Sequence, residues 1–563
     1  MNASEKNLFQ KAIFLIKPFW KGQSAKNAWF LLIIAIIFVI FLSGINTYKT
    51  YVTKWMLDAL TERNSQHIIN IFIIAIISLG ISIPISAYHN YTLNNLHLHW
   101  RKWLNLDLLG NYFKKHAFYR MHLFSDVDNP DQRLSSDLEQ FVNLSVQFIG
   151  VLCFSVISII TLTGVLWMIN IWLVVCIVIY VAIGSAITLL ISKNLVDVNF
   201  KNIQYEADYR YNLVHVRDNV ESIAFYQGEN HEHSGLKERF LKLMKKYQRL
   251  IKLQRNISFF TEFYLLYAAL CPFLILFPGV LNGTVTIGTV VQASTVFMLL
   301  LQSFSVIVNY FKELATYGAV VERLYGFAQG INTQAPESTK TEVVTKNNFS
   351  LNDVTIYTPD LKKTLAKNLS IEIPKNSGIL IMGPSGCGKS SLLRALAGLW
   401  RAGSGTINIP PIEEVMFLPQ KPYMIIGSLR EQITYPQIDQ KVSDEELFKA
   451  LKKANLDHIP EQTGGLDKTL NWGDILSLGE QQRLIFARLF LTDPAYAILD
   501  ESTSALDEPN EENLYQQLVN GNIGFISVGH RSSLKKFHTH ILEMDQDGKW
   551  EFYPTVNTGK SSV

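Results

Sequence analysis

The stretch Ser377–Leu399 reads SGILIMGPSGCGKSSLLRALAGL and contains the most specific chemical pattern in the chain. A short apolar run leads into a glycine-rich loop, and an apolar-periodic segment follows, which predicts a strand, a loop and a helix. Four loop residues match the pattern GxxxxGK[ST], namely Gly383, Gly388, Lys389 and Ser390. Glycines allow backbone N–H groups to close around phosphate oxygens, and the amino terminus of the helix adds its positive dipole end. The stretch therefore predicts a binding site for the phosphates of ATP.

The last two residues of this loop have separate expected tasks. We expect Lys389 to neutralise the β- and γ-phosphates, and the hydroxyl of Ser390 to ligate Mg²⁺. A short pattern can match by chance in a long chain, but a match placed between a strand and a helix is rare. The loop residues expected to contact the nucleotide are Gly383, Pro384, Ser385, Gly386, Cys387, Gly388, Lys389, Ser390 and Ser391.

A second apolar run, Tyr496–Glu501, reads YAILDE and ends in two acids. The ends of parallel strands present their side chains at the crevice where ligands bind. We expect Asp500 to complete the Mg²⁺ shell and Glu501 to accept a proton from the attacking water. A surface turn is the alternative for such a pair of acids, and the motifs on either side favour the catalytic interpretation.

Four further motifs around this pair resemble those of ABC-type ATPases. LSLGEQQR at Leu476–Arg483 resembles the signature, and SALD at Ser504–Asp507 resembles the D-loop. His530 in SVGHR resembles the switch histidine, and Gln420 in FLPQKPY resembles the Q-loop glutamine. Each motif occurs once and in the order typical of that family. The resemblance implies ATP hydrolysis with Mg²⁺, with Gln420 as a further Mg²⁺ ligand.

The same resemblance implies that two nucleotide domains sandwich ATP, so that the signature of one chain reaches the γ-phosphate held by the other. Ser477, Gly479 and Glu480 are the signature residues expected at the nucleotide, and His530 would align the γ-phosphate with the water. The signature departs from the common family pattern, with leucine at position 478 and glutamate at 480. Tyr357 in VTIYTPD is the candidate for stacking on adenine, and an ordinary strand side chain is the alternative.

The composition predicts that a large part of the chain lies in a membrane. Hydrophobic residues make up 48% of the sequence and charged residues 18%, and the mean hydropathy is +0.14. Ordinary globular chains carry about 25% charged residues. Residues 140–192 and 263–311 contain no Asp, Glu, Lys or Arg. This pattern excludes a disordered or plainly soluble chain, and the net charge of +3 is too small to indicate nucleic-acid binding.

A helix of about 20 apolar residues crosses a bilayer, because it satisfies its own backbone hydrogen bonds there. Six segments are expected to do so: 27–48, 68–92, 143–168, 171–192, 258–280 and 288–311. We therefore expect an all-α, exporter-like transmembrane domain over residues 1–335 and an α/β P-loop ATPase domain over 336–563. The segment before the first span holds five lysines and one acid, which predicts a cytoplasmic amino terminus. An even number of spans then returns the ATPase domain to the same side.

The membrane half resembles one branch of the family. DNPDQRLSSDLEQF at Asp128–Phe141 and EADYRYNLVHVRDNVESIAFYQGE at Glu206–Glu229 are similar to segments of ABC subfamily D and of bacterial BacA/SbmA-like transporters. The resemblance implies a homodimeric half-transporter in a bacterial inner membrane, whose substrate is a fatty acyl-CoA, a cobalamin or a peptide. Solvated helix surface is the alternative for these charged runs.

Three functions remain compatible with the sequence. The first is ATP-driven transport of a solute, and the second is an ATP-gated membrane channel or regulator that performs no active transport. The third is an ATPase that acts on cytoplasmic partners, which six apolar spans argue against. Glu262, at the start of the fifth span, is a candidate for contact with substrate or protons, or else a locally hydrated acid near a helix end.

Overall fold

The computed structural model describes residues 7–22, 25–63, 65–125, 127–306, 310–333, 341–358, 361–529 and 531–555. Contacts within the chain divide it into two compact units. The first comprises the described parts of Met1–Met121 and Asp126–Asn332, and the second comprises His122–Ser125 and the described parts of Thr333–Val563. The short segment His122–Ser125, at the end of a helix, therefore belongs to the second unit although it lies within the first half of the sequence.

The first unit is helical throughout its described residues. Its helices are α1 Leu8–Lys21, α2 Ala25–Thr61, α3 Ser65–Phe113, α4 Ala117–Phe124, α5 Pro130–Gln132, α6 Leu138–Ile169, α7 Ile171–Asp218, α8 Val220–Phe225, α9 Glu229–Leu281, α10 Ile287–Phe304 and α11 Phe311–Ile331. A 3₁₀ turn at Lys114–His116 and a π-turn at Arg133–Asp137 complete the unit. Six of the described helices are long and apolar enough to cross a membrane.

The turns between these helices follow from local chemistry. Asn170 separates α6 from α7, and its side chain caps α7 by accepting a hydrogen bond from the Trp172 N–H at 2.8 Å. Thr286 caps α10 in the same way. α10 ends at Phe304, and residues 307–309 of the predicted sixth span lie outside the described residues. α2, α3, α7 and α9 extend well beyond the apolar segments that predicted them, so the membrane-crossing portions are parts of longer helices.

A buried ionic cluster joins the π-turn to α11. Both oxygens of Asp137 accept hydrogen bonds from Arg323, at 2.7 and 2.8 Å, and Arg133 donates to the same carboxylate at 2.7 Å. Arg133 also bonds Asp128. The side chain of Asp137 is 1% exposed, so its charge depends on these arginines for stabilisation. The first of the two family-like segments in the membrane half is therefore tied to a helix far along the chain.

The second unit contains two larger sheets and a short two-stranded ribbon. Its strands are β1 Glu342–Thr345, β2 Phe349–Tyr357, β3 Thr364–Ile373, β4 Gly378–Met382, β5 Gly403–Ile409, β6 Val415–Leu418, β7 Ile426–Gly427, β8 Leu470–Asn471, β9 Tyr496–Asp500, β10 Gly524–Val528, β11 His540–Met544 and β12 Trp550–Pro554. One sheet has the order β1-β5-β2-β3, and the other has the order β12-β11-β4-β10-β9-β6. In the second sheet every neighbouring pair is parallel except β11 with β12.

Helices surround the parallel strands. They are α12 Lys389–Leu396, α13 Leu429–Thr434, α14 Asp444–Lys453, α15 Ile459–Thr463, α16 Trp472–Ile475, α17 Leu478–Thr492 and α18 Glu508–Asn520, with 3₁₀ turns at Ile412–Glu414 and Ser532–Phe537. Three of these helices, α13, α14 and α17, begin with a capping box in which a serine and a glutamate three residues later satisfy each other's backbone N–H groups. A helical membrane-type unit followed by an α/β unit confirms the predicted fold class.

A buried histidine gives the second unit a pH-dependent stability. His538 is 2% exposed; its Nδ1–H donates to the Leu534 carbonyl at 2.7 Å, which leaves Nε2 to accept from the Ser527 hydroxyl. Burial lowers the pKa of His538 to about 4. The unfolded chain therefore takes up a proton at this histidine near pH 6.5, whereas the folded chain takes it up only near pH 4. Stability from this group is complete above pH 6.5 and is lost as the pH falls towards 4.

Because of this histidine, we expect the free energy of unfolding of the wild-type protein to fall by about 2 kcal/mol between neutral pH and pH 5. The measurement is the apparent unfolding midpoint of the detergent-solubilised full chain, compared with that of His538→Gln. Glutamine cannot take up the proton, so the variant should lose a smaller part of its stability on acidification. Equal slopes for the two proteins would show that His538 is not the group responsible.

Candidate active site

The predicted site residues follow strands that are neighbours in the parallel sheet. The glycine-rich loop follows β4, the acidic pair lies at the end of β9, and Gln420 follows β6. β10 lies between β4 and β9, and β6 pairs with the other side of β9. Because these strands are parallel, their carboxyl ends meet at one edge of the sheet. The topology therefore brings together three motifs that the sequence separates.

The glycines of the phosphate-binding loop are required by geometry. Gly383 has φ 145°, and a Cβ there would come 2.2 Å from the Met544 carbonyl oxygen. Gly388 has φ 109°, and a Cβ there would lie 2.9 Å from the Cβ of Leu365. Any side chain at either position would displace backbone or packed core atoms. The loop is held open by its own glycines, with backbone free to approach a phosphate.

Lys389 folds over this loop. Its ammonium group donates to the carbonyl oxygens of Gly383 at 2.8 Å and Pro384 at 3.0 Å, and the residue is 6% exposed. The charge thus lies inside the cradle of backbone N–H groups, where a phosphate would compete for it. Among the described contacts its bonds go to neutral carbonyls, so no carboxylate competes with a phosphate for the ammonium group.

Ser390 and Asp500 meet across the loop, where the Ser390 hydroxyl donates to Oδ1 of Asp500 at 3.0 Å. Burial raises the pKa of Asp500, and the neighbouring charge of Glu501 adds to this effect. Mg²⁺ prefers hard oxygen ligands, and a hydroxyl and a carboxylate both supply them. Two partly buried acids side by side also favour the binding of a cation next to them. The residues present therefore fit a magnesium site, in which Ser390 and Asp500 would bind the ion.

Glu501 and Gln420 also contact each other. The Gln420 amide donates to Oε2 of Glu501 at 2.9 Å. Glu501 has φ 47°, a left-handed conformation that is uncommon for a residue with a long side chain. Glu501 directly follows β9, and its carboxylate lies beside the glutamine that follows β6. The structure thus places the expected base and the Q-loop residue in one hydrogen-bonded pair.

The signature residues form the amino terminus of α17. The Ser477 hydroxyl donates to the Glu480 carboxylate at 2.7 Å and accepts from the Glu480 N–H at 3.3 Å. Burial opposes these bonds, but the bonds and the charges of Arg483 and His458 together lower the pKa of Glu480. Within the described ranges, no hydrogen bond joins Ser477 or Glu480 to the phosphate-binding loop. The glutamate that departs from the common signature therefore serves as a helix cap in the single chain.

Gly479 packs closely against the D-loop. A Cβ at this position would lie 3.3 Å from the Ala505 carbonyl oxygen and 3.5 Å from Leu506. Leu478 beside it is 50% exposed. A larger residue at 479 would push the D-loop away, whereas the leucine at 478 is accommodated because it points to solvent in one chain.

Gln482 connects three of the motifs, a role that the sequence reasoning missed. It is 1% exposed; its amide approaches the Gln420 carbonyl at 3.4 Å and the Ser504 hydroxyl at 3.3 Å, and its oxygen accepts from the Ala505 N–H at 3.0 Å. The signature helix thereby holds the Q-loop and the D-loop together. Its position inside LSLGEQQR was the available signal, but the motif alone does not indicate which partners it binds.

Arg531 anchors the D-loop from the other side. It donates to the Leu506 carbonyl and to the Glu511 carboxylate, each at 3.0 Å, and Glu511 also accepts from Thr503 at 2.6 Å. Glu511 is 2% exposed, so this carboxylate is buried and fully bonded. The residue next to the predicted switch histidine thus fixes SALD in place. His530 itself lies outside the described residues.

Tyr357 ends β2 and is half-buried. Its carbonyl accepts from the Trp400 indole N–H at 2.9 Å, which fixes its backbone. Nothing in these contacts distinguishes adenine stacking from an ordinary strand position, so the adenine role stays a prediction.

A buried arginine joins the signature helix to the segment after the Q-loop. Arg488 is 4% exposed; it donates to the Tyr423 carbonyl at 3.0 Å and to the Gln432 side-chain oxygen at 3.0 Å, and it also bonds the Gln432 carbonyl. Burial lowers its pKa to about 10, so it is still charged at neutral pH. The cation is stabilised by neutral oxygens and by the ring of Tyr435, 5.4 Å from the guanidinium.

We expect Arg488→Met to cost about 3 kcal/mol, because it leaves buried acceptors without donors. The apparent unfolding midpoint of the detergent-solubilised protein should fall by about 8 °C. Arg483→Met is the matched control on the same helix, since Arg483 is less buried and bonds only the Asn455 carbonyl, at 2.7 Å, among the contacts described. A midpoint equal to that of the control would rule out this structural role.

Two protein families match this chain, one in each of its units, and several known proteins are similar to it over nearly its whole length. The family described as ABC transporter transmembrane region 2 matches residues 15–280, and the family described as ABC transporter matches residues 366–504. An uncharacterized ABC transporter ATP-binding protein of Synechocystis is 37% identical over 95% of this chain and 83% of its own length. ABC transporter D family member 2, chloroplastic, of Arabidopsis thaliana is 34% identical over 96% of this chain and 87% of its own.

Two further similarities concern the branch and the fold. The human lysosomal cobalamin transporter ABCD4 is 29% identical over 96% of this chain and 95% of its own. A solved bacterial Atm1-family ABC exporter with ATP bound has a TM-score of 0.75 at 18% identity, over 93% of this chain and 96% of that chain. The chain therefore belongs to the ABC transporters, in the group that includes subfamily D and related bacterial half-transporters, and it is a multi-pass membrane protein that hydrolyses ATP to drive transport.

Proposed function

We propose that two copies of this chain form a homodimer that uses ATP to move a fatty acyl-CoA, a cobalamin or a peptide across a bacterial inner membrane. The observation that carries the proposal is the presence, in one chain, of six membrane-length apolar helices and a phosphate-binding loop next to paired acids. One such set of helices is small for enclosing a bulky solute, which favours a pair. The lysine-rich segment before the first span supports a cytoplasmic amino terminus, and six spans would return the ATPase unit to the same side.

Exposed apolar side chains support the dimer. Phe225 and Tyr226, between the long helices α7 and α9, are 84% and 86% exposed, in a stretch that this topology places in the cytoplasm. Ile475 and Leu478, beside the signature, are 47% and 50% exposed. Large apolar groups in water mark interaction sites when they cluster. A second copy would bury both clusters and would bring its signature to the phosphate-binding loop.

Hydrolysis follows from the residues that meet at the sheet edge. Lys389 and the loop N–H groups hold the phosphates, and Ser390, Asp500 and Gln420 are the residues proposed to hold Mg²⁺, which neutralises phosphate charge when bound. Glu501 orients and deprotonates the attacking water, and the Gln420 amide keeps its carboxylate in place. His530 is proposed to align water and γ-phosphate. Closure around ATP and release after hydrolysis would favour different membrane conformations in turn.

The test is ATP-dependent accumulation in proteoliposomes with the ATPase unit facing outwards. Purified wild type is offered palmitoyl-CoA, cyanocobalamin and short peptides, and Glu501→Gln serves as the matched protein that binds ATP without turnover. We expect wild type alone to accumulate a solute against its gradient. Solute movement that only runs down its gradient would favour the alternative, an ATP-gated channel or regulator.

A further inference from the structure

The first unit contains a cavity of about 460 Å³ between four of its long helices. α2, α3, α6 and α10 contribute its walls, together with Val306 and Tyr310 at the end of the bundle. The motifs described above play no part in it, since all of its lining residues lie between positions 43 and 310. A cavity between helices of a membrane bundle is a usual place for a solute to bind.

Four carboxamides line this cavity, one from each helix: Asn46, Asn90, Gln147 and Gln302. Within the described ranges, none of the four has a hydrogen-bond partner. Asn46 is half-buried and the other three are exposed, so their amide groups are available to water or to a polar occupant of this space. Each carboxamide offers a donor and an acceptor in one plane, which matches the same pair of groups on another amide.

Among the described residues the lining includes no Asp, Glu, Lys or Arg, and its histidine, His89, has a buried Nδ1 without a hydrogen-bond partner. The nearby Lys49 donates to the Ser82 hydroxyl at 3.1 Å and is not part of the lining. Glu262 is exposed and does not line the cavity either. Phosphate groups are bound in proteins mostly by lysine and arginine side chains or by arrays of backbone N–H groups. The described lining includes neither lysine nor arginine.

Much of the remaining wall is apolar. Val151, Phe154, Leu162 and Leu299 lie among the amides, and serines from α2, α6 and α10 also line the cavity, as do His89 and Tyr310. Ser43 and Ser303 already use their hydroxyls within the bundle, bonding Thr161 at 3.0 Å and the Leu299 carbonyl at 3.0 Å. The four carboxamides are therefore the most numerous polar side chains in the lining that are available to a solute, and the apolar residues between them favour a solute with an apolar frame.

We propose that this cavity binds a solute without net charge that carries several carboxamide or peptide groups on a partly apolar frame. The inference rests on the proposed transport function and narrows its substrate. Short capped peptides and amide-bearing macrocycles such as cyanocobalamin share this chemistry. Acyl-CoA thioesters do not, because their phosphates would enter a cavity whose described lining has no lysine or arginine.

The experiment measures ATP-dependent accumulation and ATP hydrolysis in the same proteoliposomes. The probes are cyanocobalamin, a tripeptide blocked at both ends, and palmitoyl-CoA. Asn90→Leu is compared with Asn94→Leu, because both asparagines are exposed on α3 and only Asn90 lines the cavity. We expect a neutral probe to accumulate, its half-saturating concentration to rise about tenfold in Asn90→Leu, and basal hydrolysis to be the same in both variants.

Accumulation of either neutral probe supports the inference. Which of the two accumulates shows whether the solute is a cobalamin-like macrocycle or a peptide. Accumulation of palmitoyl-CoA would overturn it and leave the proposed transport function intact. Equal behaviour of Asn90→Leu and Asn94→Leu with a neutral probe would also overturn it. Normal hydrolysis with no accumulation of any probe would remove the inference together with the proposed function.

Discussion

Glu501→Gln is expected to lower steady-state ATP hydrolysis about a thousandfold, because it removes the group that accepts the proton of the attacking water. ATP binding should persist, since the phosphate-binding loop and Ser390 are unchanged. Glutamine has nearly the same shape as glutamate, and its carbonyl oxygen can still accept from Gln420, as Oε2 does at 2.9 Å. Phosphate release by the purified protein measures hydrolysis, and retention of labelled ATP measures binding.

Glu508→Gln is the matched control for this substitution. Glu508 is an exposed acid in the first turn of α18, a few residues further along the chain. Its replacement by glutamine removes the same charge as Glu501→Gln does. Its turnover should equal that of the wild type. Hydrolysis by Glu501→Gln at a rate near that of this control would mean that another group serves as the base.

Lys389→Met is expected to reduce hydrolysis at least a hundredfold, and in contrast to the first variant it should also weaken ATP binding. The ammonium group lies over the loop, bonded to two carbonyl oxygens, so its loss removes the charge that faces the phosphates. Titration with a fluorescent ATP analogue measures binding, and phosphate release measures hydrolysis.

Lys375→Met is the matched control, because Lys375 is exposed in the turn before β4. The substitution removes the same charge from the same unit. An unfolding midpoint near that of the wild type would show that Lys389→Met is folded. ATP affinity and turnover equal to those of Lys375→Met would contradict the role given to the phosphate-binding loop.

The fold class was predictable because its signals are local. A membrane helix requires an uninterrupted apolar run, and a phosphate-binding loop requires its glycines and lysine within a few residues of one another. The pairing of Ser390 with Asp500 was also predictable although they are 110 positions apart, because each motif follows or ends a parallel strand and the carboxyl ends of these strands meet at one sheet edge. The resemblance to ABC subfamily D and bacterial half-transporters was confirmed by the relatives.

Contacts between distant positions were not predictable in this way. Asp137 and Arg323 are 186 positions apart, and nothing in the sequence near either indicates the other. The contacts of Gln482 with the Q-loop and the D-loop likewise depend on how α17 packs against the sheet. The four carboxamides of the membrane cavity come from four helices, and each by itself reads as an ordinary polar residue in a long helix.

The most direct test of the central claim, that two copies share each ATP site and use it to move solute, is a measurement on mixed dimers. Two tagged forms of the chain are co-expressed, and dimers that carry both tags are purified and reconstituted. In the first pairing one copy has Lys389→Met and the other has Gly479→Val, whose side chain would collide with the D-loop. In the second pairing one copy has both substitutions and the other has none.

We predict ATP hydrolysis and solute accumulation for the first pairing, because one shared site then keeps an intact lysine and an intact signature. We predict neither activity for the second pairing, because each shared site then contains one damaged half. Activity in the second pairing and none in the first would contradict the account, since each copy would then complete its own site.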